Sequence, residues 1–276
     1  MNDFAIFITS HNSPYVCYSY VALNDAGYTG TKYIVIDDND PKFSDYIRMP
    51  NMLVFHKQDY VDKLDIGMSK VNPQLAAVLY ARAAVEDFAK ELGLKYFIVM
   101  DDDIHGFRYR YLKGNKLCSK PVENFDWLIY NYIEFMNETN SICLSFANDG
   151  SFIGGASAIG KILERRSCHT IFLRDTTKEF EWKFAVNEDY VSSLLYANKG
   201  VLMFTLPFVQ RNISGMNDRE EGMHELYKST TEFQRAFYNV IACPWTCTVS
   251  EYKGHNVVRT NKNTAYPKII SDKYRR

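Results

Sequence analysis

LYARAAVEDFAKELGLKYFIVMDDDI, residues 79–104, decides how the chain is read. In its first part Leu79, Phe88 and Leu92, with Leu75 just before, fall on one helical face, and Gly93 supplies a natural stop. Its second part, Tyr96 to Met100, is an unbroken apolar run, expected of a strand covered on both faces of a parallel sheet. That strand ends on Asp101-Asp102-Asp103. Three consecutive carboxylates repel one another unless a cation or hydrogen-bond donors offset their charge. Spaced as D-x-D, Asp101 and Asp103 can present oxygens to a hard cation, Mg²⁺ or Mn²⁺, and leave coordination positions for phosphates. The plainer alternative is a solvated acidic loop or a structural cation site.

Moving toward the N-terminus, Phe4 to Thr9, Lys32 to Ile36 and Asn51 to Phe55 read as strands. Ser13-Pro14 predicts the cap of a helix running to Gly27, and Asn72-Pro73 opens the helix that carries Arg82. Strands alternating with helices imply an α/β sheet with right-handed crossovers, in which ligands bind where strands end. Three of these strand ends are polar: Thr9-Ser10-His11-Asn12, Asp37-Asp38 and Asp101-Asp102-Asp103.

Toward the C-terminus the pattern is mixed. FRYRYLKGNKLCSK predicts a hairpin turning at Gly114-Asn115, and Glu123 to Glu138 an amphipathic helix. Ser141 to Phe146, Thr170 to Leu173 and Val201 to Leu206 read as strands, and Glu188 to Asn198 as a helix closed by Gly200. NISGMNDREEGM has the composition of a mobile loop, followed by one long helix, Glu221 to Ile241, and a basic tail. The expected organisation is a single catalytic domain over 1–276, with a nucleotide-binding half (1–105) and an acceptor-binding half (106–276).

Composition narrows the function. With 46% apolar and 24% charged residues the chain is neither disordered nor collagen-like. The start has no signal-peptide pattern and no stretch approaches bilayer length, so a cytosolic enzyme without a membrane is expected. The six cysteines form no metal-binding pattern; Cys243 and Cys247, four apart, lack a second pair. Net charge is near zero, yet 104–122 holds Arg108, Arg110, Lys113, Lys116 and Lys120 without one acid, and the segment after Tyr252 is again basic. Two such segments suit a polyanionic partner.

Other residues could carry chemistry. Glu188-Asp189 opens a helix, where a carboxylate is stabilised as the anion and suits a base, although acids are common in first turns anyway. Arg82 could pair with Glu86 one turn on or reach diphosphate oxygens. His11, His224 and His255 are lone histidines, each explained as readily by an ordinary polar contact.

Together FITSHNSP, YIVIDDND, the 79–104 block and FAVNEDYVSSLLYANKG resemble the GT-A glycosyltransferases, and among them the TET-associated group, which includes phage enzymes that decorate hydroxymethylated pyrimidines in DNA. The resemblance implies a Rossmann-type mixed sheet flanked by helices, with a C-terminal acceptor-side extension. It implies a sugar moved from a nucleotide-diphosphate donor, a UDP-sugar, to 5-hydroxymethylcytosine or 5-hydroxymethyluracil in DNA. Thr9 and Asn12 would lie beside the nucleotide and Asp37 near its base or ribose. Arg82 would hold the diphosphate, with Asp101, Asp102 and Asp103 serving the metal and the donor. Asp189 would be the base of an inverting displacement, and His255, ahead of His224, a further metal ligand. The location would be the host cytoplasm if phage-encoded. One departure is Arg82-Ala83 where relatives often show Arg-Asn.

Other functions fit parts of the pattern. A glycosyltransferase with a glycan or small-molecule acceptor keeps the chemistry, and a non-enzymatic nucleotide- or nucleic-acid-binding module keeps only the fold. A D-x-D phosphatase is disfavoured, since His105 stands where such enzymes carry Thr or Val.

Overall fold

The computed structural model describes residues 3–15, 17–67, 71–163, 168–213, 223–266 and 269–275. Four parallel strands form one half of its sheet: β1 (Phe4–Thr9), β2 (Lys32–Asp37), β3 (Met52–Phe55) and β4 (Tyr96–Asp101). Five more follow in sequence: β5 (Ile104–Lys113), β6 (Lys116–Pro121), β7 (Cys143–Asn148), β8 (Phe172–Asp175) and β9 (Met203–Ile213). The nine form one sheet in the order β3-β2-β1-β4-β8-β7-β9-β5-β6. β8 runs antiparallel to both β4 and β7, which makes the sheet mixed. The Rossmann-type mixed sheet flanked by helices is therefore borne out.

Alternation along the buried strands explains the layers. Phe4, Ile6 and Ile8 of β1 and Tyr96, Ile98 and Met100 of β4 join one core with helices Tyr18–Asp25 and Phe125–Thr139. Ala5, Phe7, Phe97 and Val99 point to the other face, onto helix Ala77–Glu91. Leu79 and Tyr80 of that helix are fully buried, and each such side chain contributes roughly 1.5–3 kcal/mol. Arg174 of β8 is also fully buried; Glu86 of the same helix meets its Nε at 2.9 Å and the carbonyl of Lys178 accepts from Nη2 at 3.1 Å.

A smaller cluster, Leu194, Cys243, Cys247 and Ala265, ties helix Glu188–Asn198 to the C-terminal elements. The segment expected to be a basic tail contains an antiparallel hairpin, β10 (Cys247–Tyr252) and β11 (His255–Thr260). Both cysteines of the 243–247 pair are buried free thiols.

Several boundaries differ from the sequence reading for local reasons. Ser13-Pro14 does not cap the first helix, which begins at Tyr18. Asn72 does cap, but its side chain accepts from Gln74 N–H in a short turn, Pro73–Leu75, ahead of the helix proper. The long helix expected over Glu221 to Ile241 is two, His224–Lys228 and Glu232–Ala242. Thr231 and Gln234 form a reciprocal capping box that starts the second. β9 runs on to Ile213, so only residues 214–222 of the expected loop lie outside the described residues. Its register on β7 jumps from Phe146↔Leu206 to Ala147↔Gln210, at Pro207, which has no N–H for the ladder.

Candidate functional site

The carboxyl ends of the parallel strands β1, β2 and β4 lie along one edge of the sheet, so the three polar strand ends converge as expected. The acidic turn after β4 is held through its backbone. Ser19, fully buried at the start of helix Tyr18–Asp25, donates from Oγ to the Asp101 carbonyl (2.5 Å) and accepts from Ile104 N–H (3.0 Å). Its own N–H donates to the Asp102 carbonyl (3.1 Å). With the backbone secured, the side chains diverge: Ser10 Oγ donates to Asp102 Oδ2 (2.5 Å), while Asp101 Oδ1 faces Arg82 Nη2 (3.3 Å).

Arg82 is 3% exposed, and its guanidinium lies over Phe172 and Trp182 at 4.9 and 5.4 Å. One arm pairs with Asp101 and the other with Glu188, so the pairing with Glu86 weighed from the sequence is absent. This placement makes Arg82 a buried bridge between two carboxylates. Through it, residues 101 and 188 become neighbours although far apart in the chain.

Asp189, next to that bridge, meets His169 Nδ1 at 3.4 Å and accepts from Tyr190 N–H at 2.6 Å. Burial pushes its carboxyl up, but the His169 hydrogen bond, the His169 and Arg82 charges and the Tyr190 N–H outweigh it and bring the pKa down to about 2. Glu188 goes the other way. Burial exceeds the attraction of Arg82, and with Asp189 and Asp101 nearby its carboxyl rises to about 7. Asp189 is thus held ionised at neutral pH. His169 stacks on Tyr190 at 5.5 Å and shares with Asp189 a polar cavity of about 510 Å³, lined also by Tyr227, Glu232, Arg235 and Asn239.

Thr9 and Asn12 stand at this edge, Thr9 Oγ1 within 3.3 Å of the Met100 carbonyl. Asn12 has a left-handed backbone (φ 57°), and its N–H donates to Asp40 Oδ2 at 2.8 Å. Asp37 is 3% exposed and occupied by protein groups, His11 Nδ1 at 3.2 Å and Lys57 Nζ at 3.4 Å. It ties the loops after β1 and β2 together. Burial acts to raise its pKa, but the His11 hydrogen bond and the Lys57 charge draw it down. His255 sits on the exposed hairpin, with Nδ1 on Glu232 at 3.0 Å, and is not drawn into the acidic turn; the side chain of His224 lies outside the described residues.

Two residues without a sequence signal complete the site. His169 is one. Arg211, 4% exposed near the end of β9, donates to Asn148 Oδ1 (3.0 Å) and Thr170 Oγ1 (2.7 Å), while its Nη1 is buried and makes no hydrogen bond among the described residues. Burial lowers its pKa against the charges of Asp101, Asp103, Asp149 and Asp189, so it is a buried cation within the field of the acidic turn and of Asp189. Only its place at the end of a strand could have marked it.

Residues 4–213 match the model of the TET-Associated Glycosyltransferase family, and the chain belongs to that family. It is a glycosyltransferase. No curated protein sequence matches it significantly. Among solved structures it is similar to glucosyl-3-phosphoglycerate synthase from Mycobacterium tuberculosis. In the complex of that enzyme with Mg²⁺ and UDP the identity is 9% and the TM-score 0.44, over 94% of this chain and 86% of that one. In its complex with Mn²⁺, UDP and phosphoglyceric acid they are 8% and 0.46, with the same coverage. These likenesses are distant. Among the described residues no helix is long and apolar enough to cross a membrane.

Proposed function

We propose that the chain transfers a sugar from a nucleotide-diphosphate donor, a UDP-sugar, to the hydroxymethyl group of a modified pyrimidine in DNA. The observation that supports the chemistry is the Arg82 bridge, which joins the acidic turn to Glu188, the neighbour of Asp189. DNA as the acceptor is supported by the family and by the acid-free basic strands β5 and β6.

Oxygen donors at Asp101 and Asp103 suit a hard cation, Mg²⁺ or Mn²⁺. An ion there would be held by one or two carboxylates and completed by diphosphate oxygens. Such an ion would supply charge stabilisation for the departing diphosphate. His255 is left out of this set by its place on Glu232.

The chain's own residues divide the remaining work. Residues 1–105 bind the donor: the loops with Thr9, Asn12 and Asp37 shape its nucleotide pocket, and Asp102, oriented by Ser10, faces its ribose. Arg211 lies where leaving-group charge would develop. Residues 106–276 serve the acceptor. Asp189, ionised and oriented by His169 at the polar cavity, takes the hydroxyl proton as the acceptor oxygen attacks. Arg82 positions Asp101 and Asp189 relative to each other.

The test is mass spectrometry of hydroxymethylated DNA incubated with Mn²⁺ and mixed UDP-sugars, where one hexose or pentose mass shift is expected. Transfer to glycans with none to DNA would overturn the acceptor. Asp189→Asn is expected to lower turnover about 10²–10⁴-fold while donor binding persists, and unchanged turnover would remove Asp189 as the base.

A further inference from the structure

A groove of about 1100 Å³ lies away from the acidic turn, between the β5–β6 hairpin and helix Phe125–Thr139. Its formation follows from the irregularity in β9. Where the ladder with β7 is interrupted at Pro207, Phe208 is turned out of the sheet and left 53% exposed. Opposite it Trp127, in the first turn of the helix, is 58% exposed, and Tyr111 of β5 is 44% exposed. Three large rings at the surface of one groove mark an interaction site more than chance exposure. None of them is used by the transfer chemistry.

The charge on the same walls selects the occupant. Strands β5 and β6 carry five cations and no acid; Lys120 lines the groove against the single carboxylate of Glu123, the register places Lys113 and Lys116 on the same hairpin face as Tyr109 and Tyr111, and Arg110 turns its guanidinium away to Gln210 and the Phe152 ring. Lys120 Nζ lies 5.6 Å over the Tyr109 ring, so ring and cation alternate along the wall. Aromatic faces beside a cationic track are what a single nucleic-acid strand requires: bases stack on the rings and phosphates meet the cations. A neutral sugar chain would not call for the cations, and an apolar protein surface would leave them unpaired. We infer that this groove holds a single-stranded stretch of the acceptor nucleic acid flanking the residue being modified.

The inference rests on the DNA reading above and adds a length to it. β5 leaves the acidic turn at Ile104 and reaches the groove at Tyr109, about 20 Å from Asp103 at roughly 3.3 Å per residue. At about 3.4 Å per stacked nucleotide, a strand anchored at the site enters the groove only about six nucleotides from its modified base.

The test is fluorescence anisotropy of a labelled single-stranded 20-mer with the full chain, beside the same measurement on a trimer. Trp127→Ala and Phe208→Ala are each expected to weaken 20-mer binding by about 5- to 100-fold. The ratio of trimer to 20-mer Kd should fall by the same factor. Lys120→Gln should reduce the salt slope by about one, and 20-mer binding should quench the Trp127 emission. All three side chains stand at the surface, and melting curves like the parent's will show that the variants are folded. Unchanged 20-mer affinity in folded variants overturns the inference, as does binding of duplex but not of single strand. If DNA is glycosylated and the variants bind normally, the groove assignment fails and the acceptor reading stands. Weaker strand binding in the variants with no transfer to DNA would show a single-strand groove but overturn the DNA acceptor reading, and with it the groove's part in holding an acceptor.

Discussion

Two buried arginines are tied to the same helix, Arg82 as part of it and Arg174 from β8 through Glu86, and they do different work. Arg174 is fully enclosed in the middle of the sheet; Glu86 and two carbonyls, those of Ile142 and Lys178, take its donors, and Phe180 covers its face at 4.3 Å. Arg82, one turn before Glu86, is almost as deeply buried and likewise covered by rings, but its partners are Asp101 and Glu188 at the edge where the strands end, and its Nε makes no hydrogen bond among the described residues. The first pair is closed on itself. The second hands its charge to groups that face the cleft, so the same chemistry is structural in one place and organises a site in the other.

The largest separation between the two should appear on removing each guanidinium. Arg82→Met leaves Glu188 and Asp101 without their shared cation, and turnover per folded molecule is expected to fall at least about 100-fold, together with a stability loss of roughly 3–5 kcal/mol. Arg174→Met is expected to lose a similar 3–5 kcal/mol in urea unfolding while turnover per folded molecule stays near the parent value. Equal kinetic damage from both would erase the distinction.

A smaller effect is set by pH. Glu188 is raised from 4.5 to about 7, so the folded state binds its proton more tightly than the unfolded chain does. Its contribution to stability is therefore full below 4.5 and is lost as pH rises through about 7. Asp189, lowered from 3.8 to about 2, contributes above 3.8 and loses that contribution as pH falls toward 2. Urea midpoints measured from pH 4.5 to 8 should decline for the parent and flatten in Glu188→Gln; an unchanged slope would show that Glu188 is not the titrating group.

Much of the frame was legible because it is written locally. The apolar runs, the glycines at 27, 93 and 200 with positive φ, the turn at Gly114 and the acidic strand end needed no distant information. The capping signal at Thr231 and Gln234 was there to be read and would have split the long helix. Side-chain partners were a different matter. Arg82 and Glu86 have the spacing of a helical pair, yet each is drawn to a group roughly 90 to 106 residues away, because burial makes a distant, better-oriented partner worth more than a solvated neighbour. His169, Arg211 and Ser19 sit in stretches with no motif, and only the sheet order brings them to the acidic turn.

Ser19 has one more consequence. It grips the acidic turn solely by main-chain atoms, at the Asp101 and Asp102 carbonyls and the Ile104 amide, so the turn behaves as a socket whose shape is independent of what is plugged into it. Asparagine or serine at 101, 102 or 103 would then alter charge with little change in backbone path, and kinetic differences among such variants can be read as electrostatics.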